Sequence, residues 1–245
     1  ELRWQGEGLL LDVRKYGETS ALIDVFTKSL GRRMGLLKGA FNKKNKSVIQ
    51  PGNQLFLTWN SRIEEGLGTF KVELIKSRYH RINEERIGLE FFNLICVLCS
   101  TFLPERVEFD ELYSRTIHYI EGEFPTRDKF RKYIEWELDL LKSLGFGLDL
   151  GKCVVSGSKQ DLKFVSPKSG CAVSRKSSIG WEKKLLVLPS FLWNTKLTNS
   201  LSKSDLNNGF KLTEYFIKKN LQPVKRFQMD AFFNLRNRVL SFKSL

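Results

Sequence analysis

The apolar residues of the first eighty positions alternate with polar ones or gather in short runs, the spacing of β-strands rather than helices. Residues 8–13, 21–27, 33–38, 54–59 and 68–74 read as five strands. Turn formers at Gly17, Gly31, Pro51-Gly52-Asn53 and Glu65-Gly66 separate them. Five short strands over this length suit a small closed barrel, a pattern that the OB-fold and the SH3-like barrel both satisfy.

From residue 81 the period becomes helical. Residues 84–103 crowd Ile87, Leu89, Phe91, Phe92, Leu94, Ile95, Val97, Leu98, Phe102 and Leu103 together before Pro104, which predicts a helix buried nearly all round. A second helix is expected over 109–121. A third follows Pro125, with Thr126 as its N-cap, an apolar face of Phe130, Ile134, Leu138 and Leu141, and an end at Gly145. Residues 151–180, rich in Gly, Ser and Lys, read as an ordered loop or short hairpin. Further helices are expected over 185–194, 208–220 and 229–242. The expected fold is α+β: a barrel domain over residues 1–80, then a helical domain over 81–245 that contains the loop 151–180.

Composition narrows the class. Of 245 residues, 41% are hydrophobic and 12% aromatic, enough to bury a core. No apolar run approaches the ~18 residues of a membrane span, and residues 1–6 lack a signal-peptide pattern. The chain starts at Glu1 rather than Met, which suggests trimming. Four Cys do not make a disulfide scaffold, so a reducing, cytoplasmic setting is expected.

The charge is +14, from 41 Lys and Arg against 27 Asp and Glu. Such an excess points to a polyanion, either nucleic acid or an acidic membrane surface. It is uneven: net +6 over 1–80, −5 over 81–150, +7 over 151–202 and +6 over 203–245, which argues for separate modules.

Four features bear on chemistry. The stretch Lys28, Arg32, Arg33, Lys38, Lys43, Lys44 and Lys46 has no acidic residue within it, and Phe41 lies inside it. Arg14, Lys15 and Tyr16 precede the first turn. Cations neutralise phosphates and exposed rings stack on unpaired bases, so these eleven residues are the candidate nucleic-acid contacts; Phe26 reads as core. Second, Cys153-Val154-Val155-Ser156 and Cys171-Ala172-Val173-Ser174 have the spacing of a zinc ribbon with a Ser in place of one Cys in each pair. Two thiolates cannot close a tetrahedral site, so no metal is expected. Cys96 and Cys99 share a C-x2-C spacing inside the most apolar helix and read as core. Third, His80 and His118 are the only histidines and neither sits in a catalytic or metal-ligand pattern; no phosphate-binding glycine loop is present. Fourth, Lys183, Lys184, Lys218, Lys219, Lys225 and Arg226 accompany Trp181, Trp193, Phe216 and Phe227 in a basic C-terminal third that could dock an acidic, apolar peptide tail.

The order of these features resembles the RecO family of bacterial DNA repair proteins over nearly the whole chain. The carrying residues are Gly17-Glu18-Thr19-Ser20-Ala21-Leu22-Ile23, Thr27 through Gly31, Leu37-Lys38-Gly39-Ala40 and Gln50-Pro51-Gly52. They continue with Glu137 through Phe146, Cys153, Gly157 and Phe164 through Cys171. The resemblance implies an N-terminal OB-fold, a helical middle and a four-Cys zinc loop, here degenerate because Ser156 and Ser174 replace two ligands. It implies a recombination mediator, not an enzyme, without cofactor. Such a protein binds single- and double-stranded DNA and anneals complementary strands. With RecR, it helps load RecA onto strands coated by single-stranded-DNA-binding protein, whose acidic, apolar C-terminal tail would meet the basic C-terminal third. The expected location is the cytoplasm, at the nucleoid. An RNA-binding OB-fold protein is the second reading and a metal-dependent nuclease the third.

Overall fold

The structure, a computed structural model, describes residues 2–63, 66–194, 201–221 and 226–241, with backbone only at 83 and 226–228. Strands β1 (Leu2–Tyr16), β2 (Ser20–Thr27), β3 (Gly31–Leu37), β4 (Gln54–Ser61) and β5 (Thr69–Lys76) form a closed barrel in the order β1-β2-β3-β5-β4. A short helix, α1 (Lys43–Val48), joins β3 to β4. This is the OB-fold order, which resolves the two barrels that the pattern left open. Closure rests on the parallel pairing of Leu36 and Leu37 with Thr69 and Phe70. The interior is filled by Leu10, Ile23, Val25, Leu55, Leu57, Trp59 and Phe70, each side chain stabilising the fold by about 1.5–3 kcal/mol.

β1 starts six residues before the expected strand and ends three after it. Its first half pairs with β4 and its second half with β2, and an irregularity between Leu10 and Asp12 marks the bend. The sequence signal was weak there because glycines stand at two inward positions, Gly6 and Gly8, where the cores of neighbouring side chains crowd the space.

By compactness the chain separates into two units. One is Glu1–Ile120 with Pro223–Val239; the other is Glu121–Gln222 with Leu240–Leu245. The barrel unit is therefore larger than the expected 1–80. It takes in α2 (Tyr79–Glu84), α3 (Arg86–Phe102), α4 (Asp110–Glu121, all but its last residue) and most of α7 (Arg226–Leu240). The apolar perimeter of α3 explains why. It buries Ile87, Phe91, Phe92, Leu94, Ile95 and Leu98 and packs against β1. Glu90 of α3 accepts a 2.8 Å bond from Arg238 of α7. Cys96 and Cys99 are buried in this helix, which pushes both thiols well up, as expected of core residues.

The second unit pairs α5 (Thr126–Ser143) with α6 (Lys203–Asn220) through Phe130, Tyr133 and Phe210, whose rings lie 6.1 Å apart. The buried face of α5 is wider than the expected stripe: Tyr133, Trp136, Glu137 and Leu140 join it, and Leu138 is only half-buried. Glu137 is fully buried and accepts a hydrogen bond from the Thr213 hydroxyl. Pro125, not Thr126, occupies the N-cap of α5. The loop 151–180 contains a hairpin of β6 (Leu162–Val165) and β7 (Ala172–Ser174). The helix expected over 185–194 does not form. Leu186–Val187, here β8, pairs with Phe164 and Val165 of β6, and Pro189 then breaks the run before a single tight turn at Ser190–Leu192. α6 begins five residues earlier than expected, at a capping box of Ser202 and Asp205.

The tightest packing in the barrel unit predicts its weakest tolerance. Gly31 has φ +63°, and a Cβ there would lie 1.7 Å from the Val107 carbonyl oxygen. Gly17 has φ +66° with open space around it. Gly31→Ala is expected to lower the melting temperature by several degrees more than Gly17→Ala, because only the former adds a backbone clash to the ~1 kcal/mol cost of the left-handed conformation. Thermal denaturation of both variants checks this.

Candidate nucleic-acid interface

The hairpin between β1 and β2 and the segment after β3 meet at one end of the barrel. Tyr16 pairs with Ser20, Lys15 and Leu37 both pair with Ala21, and the Ala40 N–H donates to the Thr19 carbonyl at 2.8 Å. Segment 38–46 is then held by its own polar groups: the Asn42 side chain caps the Asn45 N–H at 2.7 Å, and Asn45 Nδ2 donates to the Gly39 carbonyl at 3.0 Å. The result brings Arg14, Lys15, Tyr16, Lys38, Phe41, Lys43, Lys44 and Lys46 to one end, all of them exposed. Tyr16 is 59% and Phe41 41% accessible, so both rings are available for stacking, whereas Phe26 is fully buried edge-on to Tyr113 at 5.3 Å. Arg14 pairs with Asp12 at 2.9 Å, and Glu18 is the other acidic residue in this segment.

The remaining three residues of the expected track lie elsewhere. Lys28 follows β2 at the end opposite Ser20, eight residue steps or about 26 Å away. It lines a separate groove of about 460 Å³ with Lys76, Arg78 and His118, which the sequence did not single out as a group. Arg32 is bound to Asp24 through Nε at 3.0 Å and Nη2 at 2.9 Å, in a pair only 11% and 2% accessible. Burial raises the Asp24 carboxyl, with Arg32 pulling the other way. Arg33 stacks over Trp59, 4.8 Å from the ring centroid, and its Nε is buried without a hydrogen-bond partner among the described residues. Burial and the neighbouring Arg106 lower its affinity for a proton. The stretch is thus a mixture of one exposed cluster, one buried ion pair and one stacked guanidinium, not a continuous track.

The basic C-terminal third divides in the same way. Lys183 and Lys184 sit on a tight turn beside Trp181, not on a helical surface. Lys218 pairs with Glu214, while Lys219 Nζ donates to the carbonyls of Pro167 and Lys168 at 2.6 and 3.0 Å. Lys225 lies outside the described residues. Arg226 opens α7, in the other unit, and its side chain also lies outside them.

In the loop 151–180, the Cys153 N–H donates to the Ser158 carbonyl at 2.7 Å and the Gly157 N–H to the Cys153 carbonyl at 2.8 Å. Burial works to raise the Cys153 thiol, but the polar groups of Ser156 and Ser174 outweigh it and bring it down to about 5. Two thiols and two hydroxyls do not fit a structural zinc, and among the described residues no group of three or more His, Cys, Asp or Glu could hold a metal ion. No helix of the described residues is long and apolar enough to cross a membrane.

The comparisons with known proteins cover both units. Residues 2–78 match the family model described as recombination protein O, N terminal, and residues 89–226 match its C-terminal counterpart. Several similar curated proteins are called DNA repair protein RecO. One from Cereibacter sphaeroides is 39% identical over 223 residues, 91% of each chain. Those from Ruegeria sp. and Bradyrhizobium diazoefficiens are 38% and 35% identical, over 90% and 94% of this chain and 90% and 92% of theirs.

Two outcomes follow from the geometry. Arg32→Ala leaves Asp24 buried without its partner and is expected to destabilise the protein by about 3–5 kcal/mol, measured by denaturant unfolding. The Cys153 thiol is expected to titrate near 5, as followed by thiolate absorbance, and Cys153→Ser should remove that step. Because this acid is stronger folded than unfolded, its contribution to stability is full above the ordinary thiol range and is lost as pH falls toward 5.

Proposed function

Because the chain belongs to the RecO family of DNA repair proteins, we propose that it is a recombination mediator whose barrel end grips DNA by charge. The observation that carries the reading is the pinned cluster: six cations and two exposed rings brought to one end by the Ala40–Thr19 bond. Lysine and arginine displace counterions from the phosphates of single or double strands. Tyr16 and Phe41 offer faces on which unpaired bases stack without regard to sequence. Annealing then needs no bond-making residue and no cofactor: a basic surface screens the repulsion between two complementary strands long enough for them to pair. In this reading RecR is the protein partner and RecA the indirect beneficiary. The basic end of α6, at Lys218 and Lys219, takes the acidic tail of the coating protein, and the protein acts in the cytoplasm at the nucleoid. The DNA repair names of the relatives favour DNA over the RNA ligand that an OB-fold alone also permits.

The test is charge reversal at three exposed positions of α1. Lys43→Glu, Lys44→Glu and Lys46→Glu together are expected to weaken single-strand binding by at least about tenfold at moderate salt. The slope of log K against log salt should become shallower by about 2, at roughly 0.7 per phosphate contact. Unchanged affinity and slope would remove the barrel end as the site.

A further inference from the structure

The second unit displays a large aromatic side chain that its fold does not use. Trp181 is 59% accessible and Ile179 72%, on a turn whose middle residue, Gly180, has φ +83° and open space around it. The turn is anchored from below. Ser178 is buried and its hydroxyl donates to the Arg175 carbonyl at 2.7 Å, the Trp181 N–H donates to the Ser178 carbonyl at 2.8 Å, and the Lys184 N–H donates to the Trp181 carbonyl at 2.8 Å. Such a frame holds Trp181 outward rather than letting it fold back onto the unit.

Its neighbours in the chain are basic. Arg175, Lys176, Lys183 and Lys184 flank the tip against one acidic residue, Glu182. The Lys184 ammonium lies 4.9 Å from the Trp181 ring centroid. An exposed apolar tip alone would not say what covers it. Arg175 is paired with Asp161 at 3.3 Å, which leaves Lys176, Lys183 and Lys184 as the cations of the tip. A ring with an ammonium over its face and two more lysines within five residues of it in the chain selects a ligand that is both flat and anionic, and an unpaired nucleic-acid strand alternates those two properties at every nucleotide. We infer that the Trp181 turn is a second single-strand contact, in which one base stacks on the indole while Lys183 and Lys184 meet the adjoining phosphates. This deepens the reading of the protein as a DNA binder and rests on it. It also takes Lys183 and Lys184 away from the docking of an acidic peptide tail. Each compact unit then carries its own strand contact, which gives the protein two places to hold DNA, as a reaction between two strands requires.

The experiment uses the full chain and oligothymidylate of about 16 nucleotides, the upper end of the site size of one single-strand-binding module. The oligomer is expected to quench the tryptophan emission of the wild type, and Trp181→Phe should remove most of that quenching. Trp181→Ala should weaken binding at least fivefold while Trp181→Phe, which keeps a stacking ring, stays within about twofold of wild type. Position 181 is exposed, so both variants should fold, as circular dichroism would verify. Wild-type affinity in Trp181→Ala overturns the inference, whatever the α1 triple variant does. Loss of binding in Trp181→Ala with full binding in the triple variant upholds the inference and removes the barrel-end site instead. Quenching by an acidic, apolar peptide but not by the oligomer would make the turn a protein-docking surface and overturn the inference.

Discussion

Six like charges at one end of a barrel repel one another, and something must hold them there before any DNA arrives. In this protein the constraint is the backbone bond from Ala40 to Thr19, backed by the strand pairing that brings Ala21 beside Lys15 and Leu37. It fastens the segment after β3 to the tip of the first hairpin. Asn42 and Asn45 then set α1 so that its three lysines face water. The segment gives Ala40, Val48 and Ile49 to the barrel core, but the three lysines of α1 are exposed and contribute nothing to it, which is why charge reversal at the lysines separates binding from folding.

The barrel, the buried helix after it and the helix that ends at Gly145 were all legible in the sequence, because alternation, all-round apolarity and a terminal glycine are local signals. The cationic track was not, for a reason of geometry. Lys28 and Lys46 are close in sequence and free of acidic residues between them, but β3 runs between them. Arg32 meets its carboxylate on the neighbouring strand, at Asp24, which precedes the stretch and so escapes a count of acids inside it. Likewise the run 185–194 is apolar enough for a helix, yet Leu186 and Val187 find strand partners in β6, at Val165 and Phe164. Glu137 gave no sign of burial because the sequence cannot show that Thr213 stands opposite it. The last three of these failures each involve a partner on another element of the fold.

The loop that carries Cys153 and Ser156 is held by its backbone: Cys153 N–H to the Ser158 carbonyl, Gly157 N–H to the Cys153 carbonyl and Val154 N–H to the Ala172 carbonyl, after which it runs on into the hairpin of β6 and β7. The shape of the knuckle thus has a source of order other than a metal, and the turn that presents Trp181 continues from that same hairpin through Ser178.

The central claim, that the end of the barrel formed by residues 14–16 and 38–46 grips the strand, is tested most directly by photocrosslinking. The full-length protein would be irradiated with a single-stranded oligomer and the attached peptides identified by mass spectrometry. Crosslinks to the peptides holding Tyr16 and Phe41, lost when salt is raised, are the predicted result. Efficient crosslinking confined to other peptides, with these two unmodified, would contradict the account.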